Sequence, residues 1–122
     1  MLEILSAATV QSDERGSIVQ IAEEPFALAA LITSAPGTVR GGHRHLHSTE
    51  TFYILTGECR VFVQSGTRKA EYTFRSGDMF RIRKNTYHCF TFVQQTQMLE
   101  LHDLPLRQPD GSLDTIRELP EA

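Results

Sequence analysis

The stretch RGGHRHLHSTETFYILTGE, Arg40 to Glu58, decides the fold and carries the chemistry. It sets three histidines at alternate positions, His43, His45 and His47, then a carboxylate, Glu50, then Thr56-Gly57. Alternate residues of a β-strand share a face, so His43 and His45 aim two imidazoles at one point. Glu50 opens the next apolar run, from where its side chain reaches back across the turn. Imidazole and carboxylate together suit a borderline divalent metal. His47 shares the parity of the first two, but it precedes Ser48-Thr49 and reads as a rim residue in the turn.

Outward from this stretch the chain reads as short strands punctuated by turns. Residues 2–11 are an apolar lead-in compatible with an edge strand, and SIVQIA (17–22) follows the polar turn Asp13-Glu14-Arg15-Gly16. FALAALITS (26–34) contains helix-favouring alanine. Its shortness and its Pro25 and Pro36-Gly37 borders favour a buried strand. FYILTG and ECRVFVQSG read as two strands joined at Thr56-Gly57 in the manner of a hairpin. AEYTFR (70–75), MFRIR (79–83), YHCFTFV (87–93) and Gln97 to His102 continue the pattern, with turns at Ser65-Gly66-Thr67, Ser76-Gly77-Asp78 and Lys84-Asn85-Thr86. Strands at this spacing predict an all-β barrel or sandwich. The tail, 103–122, changes character, with Pro105, Pro109, an Asp110-Gly111 turn and then SLDTIREL, where Ser112 is placed to cap a short helix. No internal domain boundary appears in the 122 residues.

Composition narrows the classes. A hydrophobic share of 40% and a charged share of 22% are ordinary for a globular domain, and a net charge of −3 argues against a general nucleic-acid binder. No apolar run is long enough to cross a bilayer, and MLEILSAATV has no basic lead-in, so membrane insertion and secretion are not expected. Two cysteines, Cys59 and Cys89, form no CxxC and fit buried free thiols in a reducing cytoplasm.

These residues resemble the cupins. The first cupin motif is a glycine, five residues, HxH, three or four residues, glutamate, six residues and glycine. Gly37, His43, His45, Glu50 and Gly57 reproduce every anchor. The second motif is matched at Gly77 and His88. Arg83 replaces its proline, Asn85 its glycine and Phe92 its asparagine, which loosens the turn before His88 without removing a ligand. The resemblance implies a double-stranded β-helix, or jelly-roll barrel, with a short C-terminal helix or tail and a single domain over 1–122. It also implies a metal site of His43, His45, Glu50 and His88, holding zinc, iron, manganese or nickel. On physical grounds His88 suits that role, since a distant strand must close a locally built site, and Phe90 and Phe92 share its parity and wall it off from water.

A narrower resemblance runs through DERGSIVQI (13–21) and PGTVRGGHRH (36–45). Asp13, Arg15, Gly16, Arg40 and Gly41 look like cues of the small cupins that isomerise or epimerise nucleotide sugars. Several of those work without metal and use a histidine of the pair for proton transfer. The bland alternative for His43, His45 and His88 is a set of hydrogen-bonded core histidines. Arg40 reads equally as an anion anchor or as a structural ion-pair partner. Tyr53 and Tyr87 read as packing residues, and Arg81, Arg83 and Lys84 as a solvated strand end.

An ion held by three imidazoles and one carboxylate keeps two positions open in an octahedral geometry. The expectation is therefore an enzyme of Lewis-acid isomerase, epimerase or lyase type, acting on a small carbonyl compound such as a sugar derivative, with Arg40, Phe52, Phe90 and Phe92 contacting the substrate. The alternatives are an iron-dependent dioxygenase, a non-catalytic binding or sensing module, and a metal-free keto-sugar nucleotide isomerase with His43 or His45 as base. A homodimer is expected by analogy, because small barrels cover their strand edges.

Overall fold

The computed structural model describes residues 1–117. Their regular structure is all strand: β1 (Leu2–Leu5), β2 (Ala8–Asp13), β3 (Gly16–Gln20), β4 (Leu28–Ser34), β5 (Val39–Arg44), β6 (Glu50–Thr56), β7 (Glu58–Ser65), β8 (Arg68–Arg75), β9 (Met79–Ile82), β10 (Tyr87–Phe92), β11 (Thr96–His102) and β12 (Ile116–Arg117). Two antiparallel five-stranded sheets, ordered β1-β9-β6-β11-β4 and β12-β5-β10-β7-β8, face each other as a jelly-roll. Within FALAALITS, Leu28–Ser34 is a strand, as its borders predicted, but not the buried one expected: β4 lies at the edge of its sheet, so alternate residues such as Leu31 face solvent.

Thr56-Gly57 does not make the expected hairpin. β6 and β7 belong to different sheets, so the chain crosses from one layer to the other at Gly57. Gly57 has a φ of +101°, and a Cβ there would lie 2.4 Å from Thr96 Oγ1 and 2.5 Å from the Gln95 carbonyl. Only glycine fits such a crossing.

The tail also departs from expectation. Ser112 caps no helix. Residues 106–114 fold back on themselves around the Asp110-Gly111 turn through an Arg107–Leu113 bridge, and β12 then pairs along the free edge of β5. Pairing satisfies backbone groups that β5 would otherwise expose, and Thr115 and Ile116 are β-branched. The rest of the expected helix, 118–119, lies outside the described residues.

Inward-facing side chains stack in layers set by the strand register. Glu50 pairs with His102 and Ile82, Phe52 with Glu100 and Phe80, Ile54 with Met98, and His88 with His43 and Val63. The lower layers form the core of Phe52, Ile54, Cys59, Val61, Val63, Phe74, Phe80, Phe90, Phe92 and Met98. Phe74 and Phe80 stack at 4.0 Å, and Phe80 and Phe52 at 5.1 Å. Each buried ring stabilises by about 1.5–3 kcal/mol relative to exposure. Both cysteines are free, Cys59 in the core and Cys89 half-buried.

One feature stands apart from the barrel. β2 and β3 pair only with each other as a separate two-stranded sheet, with all of β2 exposed. Among the described residues, no helix is long and apolar enough to cross a membrane.

Candidate functional site

The top layer of the same barrel interior is polar. His43 ends the inward face of β5, His45 follows it, Glu50 opens β6, His88 lies on β10 and His102 closes β11. The register sets His43 opposite His88 and Glu50 opposite His102, which draws four separate chain segments to one point. His45, Glu50, His88 and His102 are all buried, Glu50 at 1% exposure. Gly41, with φ +92°, lets β5 approach β10 here, since a Cβ at that position would stand 2.8 Å from the His88 carbonyl.

Three of the four expected ligand side chains present their donor atoms to one another. Glu50 Oε1 lies 3.0 Å from His45 Nε2 and 3.1 Å from His88 Nε2. Neither contact has hydrogen-bond geometry, and that buried oxygen has no hydrogen-bond partner. The imidazoles of His43, His45 and His88 are themselves within metal-sharing reach, their ligand atoms all within 4.8 Å of one another. Donor atoms held about 2.1 Å from one ion and at right angles around it stand about 3 Å apart, so the observed spacings fit a shared divalent cation.

The far ring nitrogens are anchored. His88 Nδ1 lies 3.0 Å from the Thr86 carbonyl, and His45 Nδ1 lies 2.6 Å from the Asp114 carbonyl. A carbonyl only accepts, so each neutral ring carries its proton on Nδ1 and turns a free Nε2 lone pair to the centre. His88 keeps its place despite the altered second motif. Asn85, standing where the family has glycine, adopts the left-handed conformation (φ 64°) that glycine would supply, and Arg44 donates a hydrogen bond to its side chain. The turn is therefore kept, not loosened.

Burial pushes His43 down to about 4, reinforced by the neighbouring His88 and His45. Burial also works against charge on His45, but Glu50 and the Asp114 carbonyl outweigh it and raise that imidazole above its ordinary value. Glu50 is opposed by burial too, yet His45 and His88 hold it well below the usual carboxylate range. Glu100 is raised, first by burial and further by Glu50, although His102 pulls the other way.

A cavity of about 430 Å³ opens beside this cluster. His43 and His45 form one wall and Glu100 and His102 another, while Leu106, Leu113, Thr115 and Arg117 of the tail form the third. This volume is in the range of small-molecule sites. A second cavity of about 240 Å³ lies among Glu24, Phe26, Thr51, Arg81, Arg83 and His102. Its two arginines are already paired, with Glu24 and Glu3, so the cavity at the cluster is the candidate site.

The remaining expected contacts lie elsewhere. Phe52, Phe90 and Phe92, at 1, 3 and 0% exposure, belong to the core under the cluster, where Phe90 packs 6.2 Å from His88 as its floor. Arg40 does not line the cavity; it ties β5 to β4 through Ser34 Oγ at 2.9 Å and the Thr33 carbonyl. His47 is exposed in the turn, as read from the sequence. Sequence reasoning missed Glu100, His102, Asp114 and Arg117. The alternation Glu100-Leu101-His102 has the same period-two signal as His43-Arg44-His45 and marks the first two. No local signal marks the tail residues.

A family model described as "Cupin domain" matches residues 30–104. No protein of curated function matches the chain in sequence. Among solved structures, the TDP-fucose-3,4-ketoisomerase from Campylobacter jejuni superposes with a TM-score of 0.80 at 17% identity, covering 96% of this chain and 89% of its own. A mutant 3,4-ketoisomerase from Thermoanaerobacterium thermosaccharolyticum, in complex with TDP-4-keto-6-deoxyglucose, gives 0.79 at 13% identity over 96% and 87%. The dTDP-4-dehydrorhamnose 3,5-epimerase from Bacillus anthracis, with TDP and PPi bound, gives 0.71 at 18% over 90% and 75%. At these identities the likeness concerns the fold.

Proposed function

The chain belongs to the cupin family, and from that premise we propose that it is a metal-binding isomerase or epimerase of a keto-sugar derivative, with a nucleotide sugar as the substrate class. The observation that carries the metal reading is Glu50 Oε1, buried and without a hydrogen-bond partner between two Nε2 atoms at 3.0 and 3.1 Å. His43, His45, Glu50 and His88 would hold the ion, which when bound supplies Lewis-acid polarisation of a carbonyl. The apolar layer beneath, with Phe90 against His88, keeps water from that side of the site. Glu100 faces the cavity and is the carboxyl group available there to take and return a proton at a carbon beside the substrate carbonyl. Arg117 at the cavity wall offers a fork of donors to an anionic group, the role the sequence had offered to Arg40. Leu106 and Leu113 give an apolar surface for a ring face.

The fold likeness to keto-sugar isomerases supports the substrate class and also favours a second reading, in which a histidine of the pair works as base without metal. One experiment separates them. TDP-4-keto-6-deoxyglucose is incubated in D₂O with the zinc- or manganese-loaded protein and with chelator-treated protein, and exchange beside the carbonyl is followed by NMR. Exchange that needs the ion supports the first reading, exchange that survives chelation supports the second, and no exchange or product in either contradicts both. A homodimer is part of the proposal. Val10, Ile18 and Val19 on the separate β2–β3 sheet are exposed apolar residues, and a lone two-stranded sheet is marginal in water. Sedimentation at micromolar concentration should give twice the chain mass, and a monomer would remove this element.

A further inference from the structure

We propose that Asp114 is the positioning residue of the site, fixing the tautomer and aim of His45 from a tail that lies beyond the 30–104 region matched by the family. The effect on metal affinity rests on the metal reading above; the effect on the imidazole does not. Asp114 is 2% exposed, and its two carboxylate oxygens receive three consecutive backbone N–H groups of the turn after His45. Leu46 N donates to Oδ1 at 2.8 Å, His47 N is shared between Oδ1 at 3.2 Å and Oδ2 at 3.1 Å, and Ser48 N donates to Oδ2 at 2.9 Å. Three donors converging on one buried carboxylate lock the turn to the tail.

The lock has a consequence at the ring. With the carboxylate fastened to residues 46–48, the backbone carbonyl of the same Asp114 is held 2.6 Å from His45 Nδ1. The Thr115 hydroxyl stands 3.3 Å from that nitrogen. Nδ1 must therefore be the protonated nitrogen of the neutral ring, and Nε2 is left facing Glu50. The same turn delivers Ser48, whose hydroxyl meets His102 Nδ1 at 2.7 Å, so one tail carboxylate orders two of the clustered imidazoles. Supporting partners of this kind typically change metal affinity by about 10–100-fold when removed.

The test uses the full chain, labelled with ¹⁵N histidine, as parent, Asp114→Ala and Asp114→Asn. Long-range ¹H–¹⁵N spectra of the chelator-treated protein at about pH 9 report the tautomer of His45. Zinc competition against a chromophoric chelator reports affinity. The parent should show His45 protonated on Nδ1. Asp114→Ala should mix the tautomers and weaken zinc binding by about 10–100-fold, and Asp114→Asn, which keeps one acceptor, should fall between. If the parent takes up no zinc, the metal reading fails, while the tautomer shift still decides the role of Asp114. If Asp114→Ala does not fold, Asp114→Asn carries the comparison. A parent His45 protonated on Nε2, or folded variants with unchanged tautomer and unchanged zinc binding, overturns the proposal.

Discussion

The lower and upper halves of this barrel interior are built on the same strands, with the same register, from opposite chemistry. Below, Phe52, Phe74, Phe80, Phe90 and Phe92 fill the space between the sheets with close-packed rings. Above, one layer further along the same strands, Glu50, His88 and His102 are buried equally deeply. Burying rings is favourable in itself, whereas burying a carboxylate among imidazoles costs free energy unless something compensates the charge. The lower half stabilises the fold, and the upper half is held in place by it.

Mutations should separate the halves. Phe80→Ala opens a cavity at a fully buried position and should cost about 3–5 kcal/mol in denaturant unfolding. A loss under 1 kcal/mol would mean the rings are not the load on which the barrel depends. Glu50→Gln should do the reverse: it should lower zinc affinity by more than the about 10–100-fold typical of supporting residues, while the metal-free protein loses less stability than Phe80→Ala costs. Equal damage to both quantities would erase the distinction.

Smaller in effect is the split between arginines. Arg117→Ala should weaken binding of TDP by roughly tenfold, the size of one charge-assisted hydrogen bond, and Arg40→Ala should leave it unchanged. The opposite ranking would restore Arg40 as the anion contact. Smallest is the titration of the metal-free protein. NMR should find His43 protonating near 4 and His45 above its ordinary value. A group lowered on folding, as His43 is, disfavours the fold as pH falls from its unfolded value towards 4. A group raised on folding, as His45 is, contributes stability below its unfolded value and loses it as pH rises through the folded one. Two ordinary midpoints would show that the upper half is wetter and less coupled than the burial implies.

The sequence carried the parts of this contrast that are local. HxH, Glu50 and the strand periods around them follow from spacing two and a following carboxylate, and the parity of His88 with Phe90 and Phe92 showed which face is buried. It did not show whether that face is packed or hollow, because parity is blind to what stands opposite; here Phe52 and Phe80 stand there and close the space. Thr56-Gly57 was read as a hairpin because a glycine turn between two β-runs looks the same whether the strands pair or part. Asp114 and Arg117 were invisible because the tail returns to β5 from some 70 residues away, as Asp114 does to Leu46 (|i−j| = 68).

The central claim, that the upper half is a metal site, is tested most directly by elemental analysis of tag-free protein beside His88→Ala, each incubated with zinc, manganese, iron or nickel and freed of excess. The account predicts close to one ion per chain in the parent and a large loss in the variant. A parent that retains none of these metals would contradict it, and the buried histidines and Glu50 would then be an acid–base cluster.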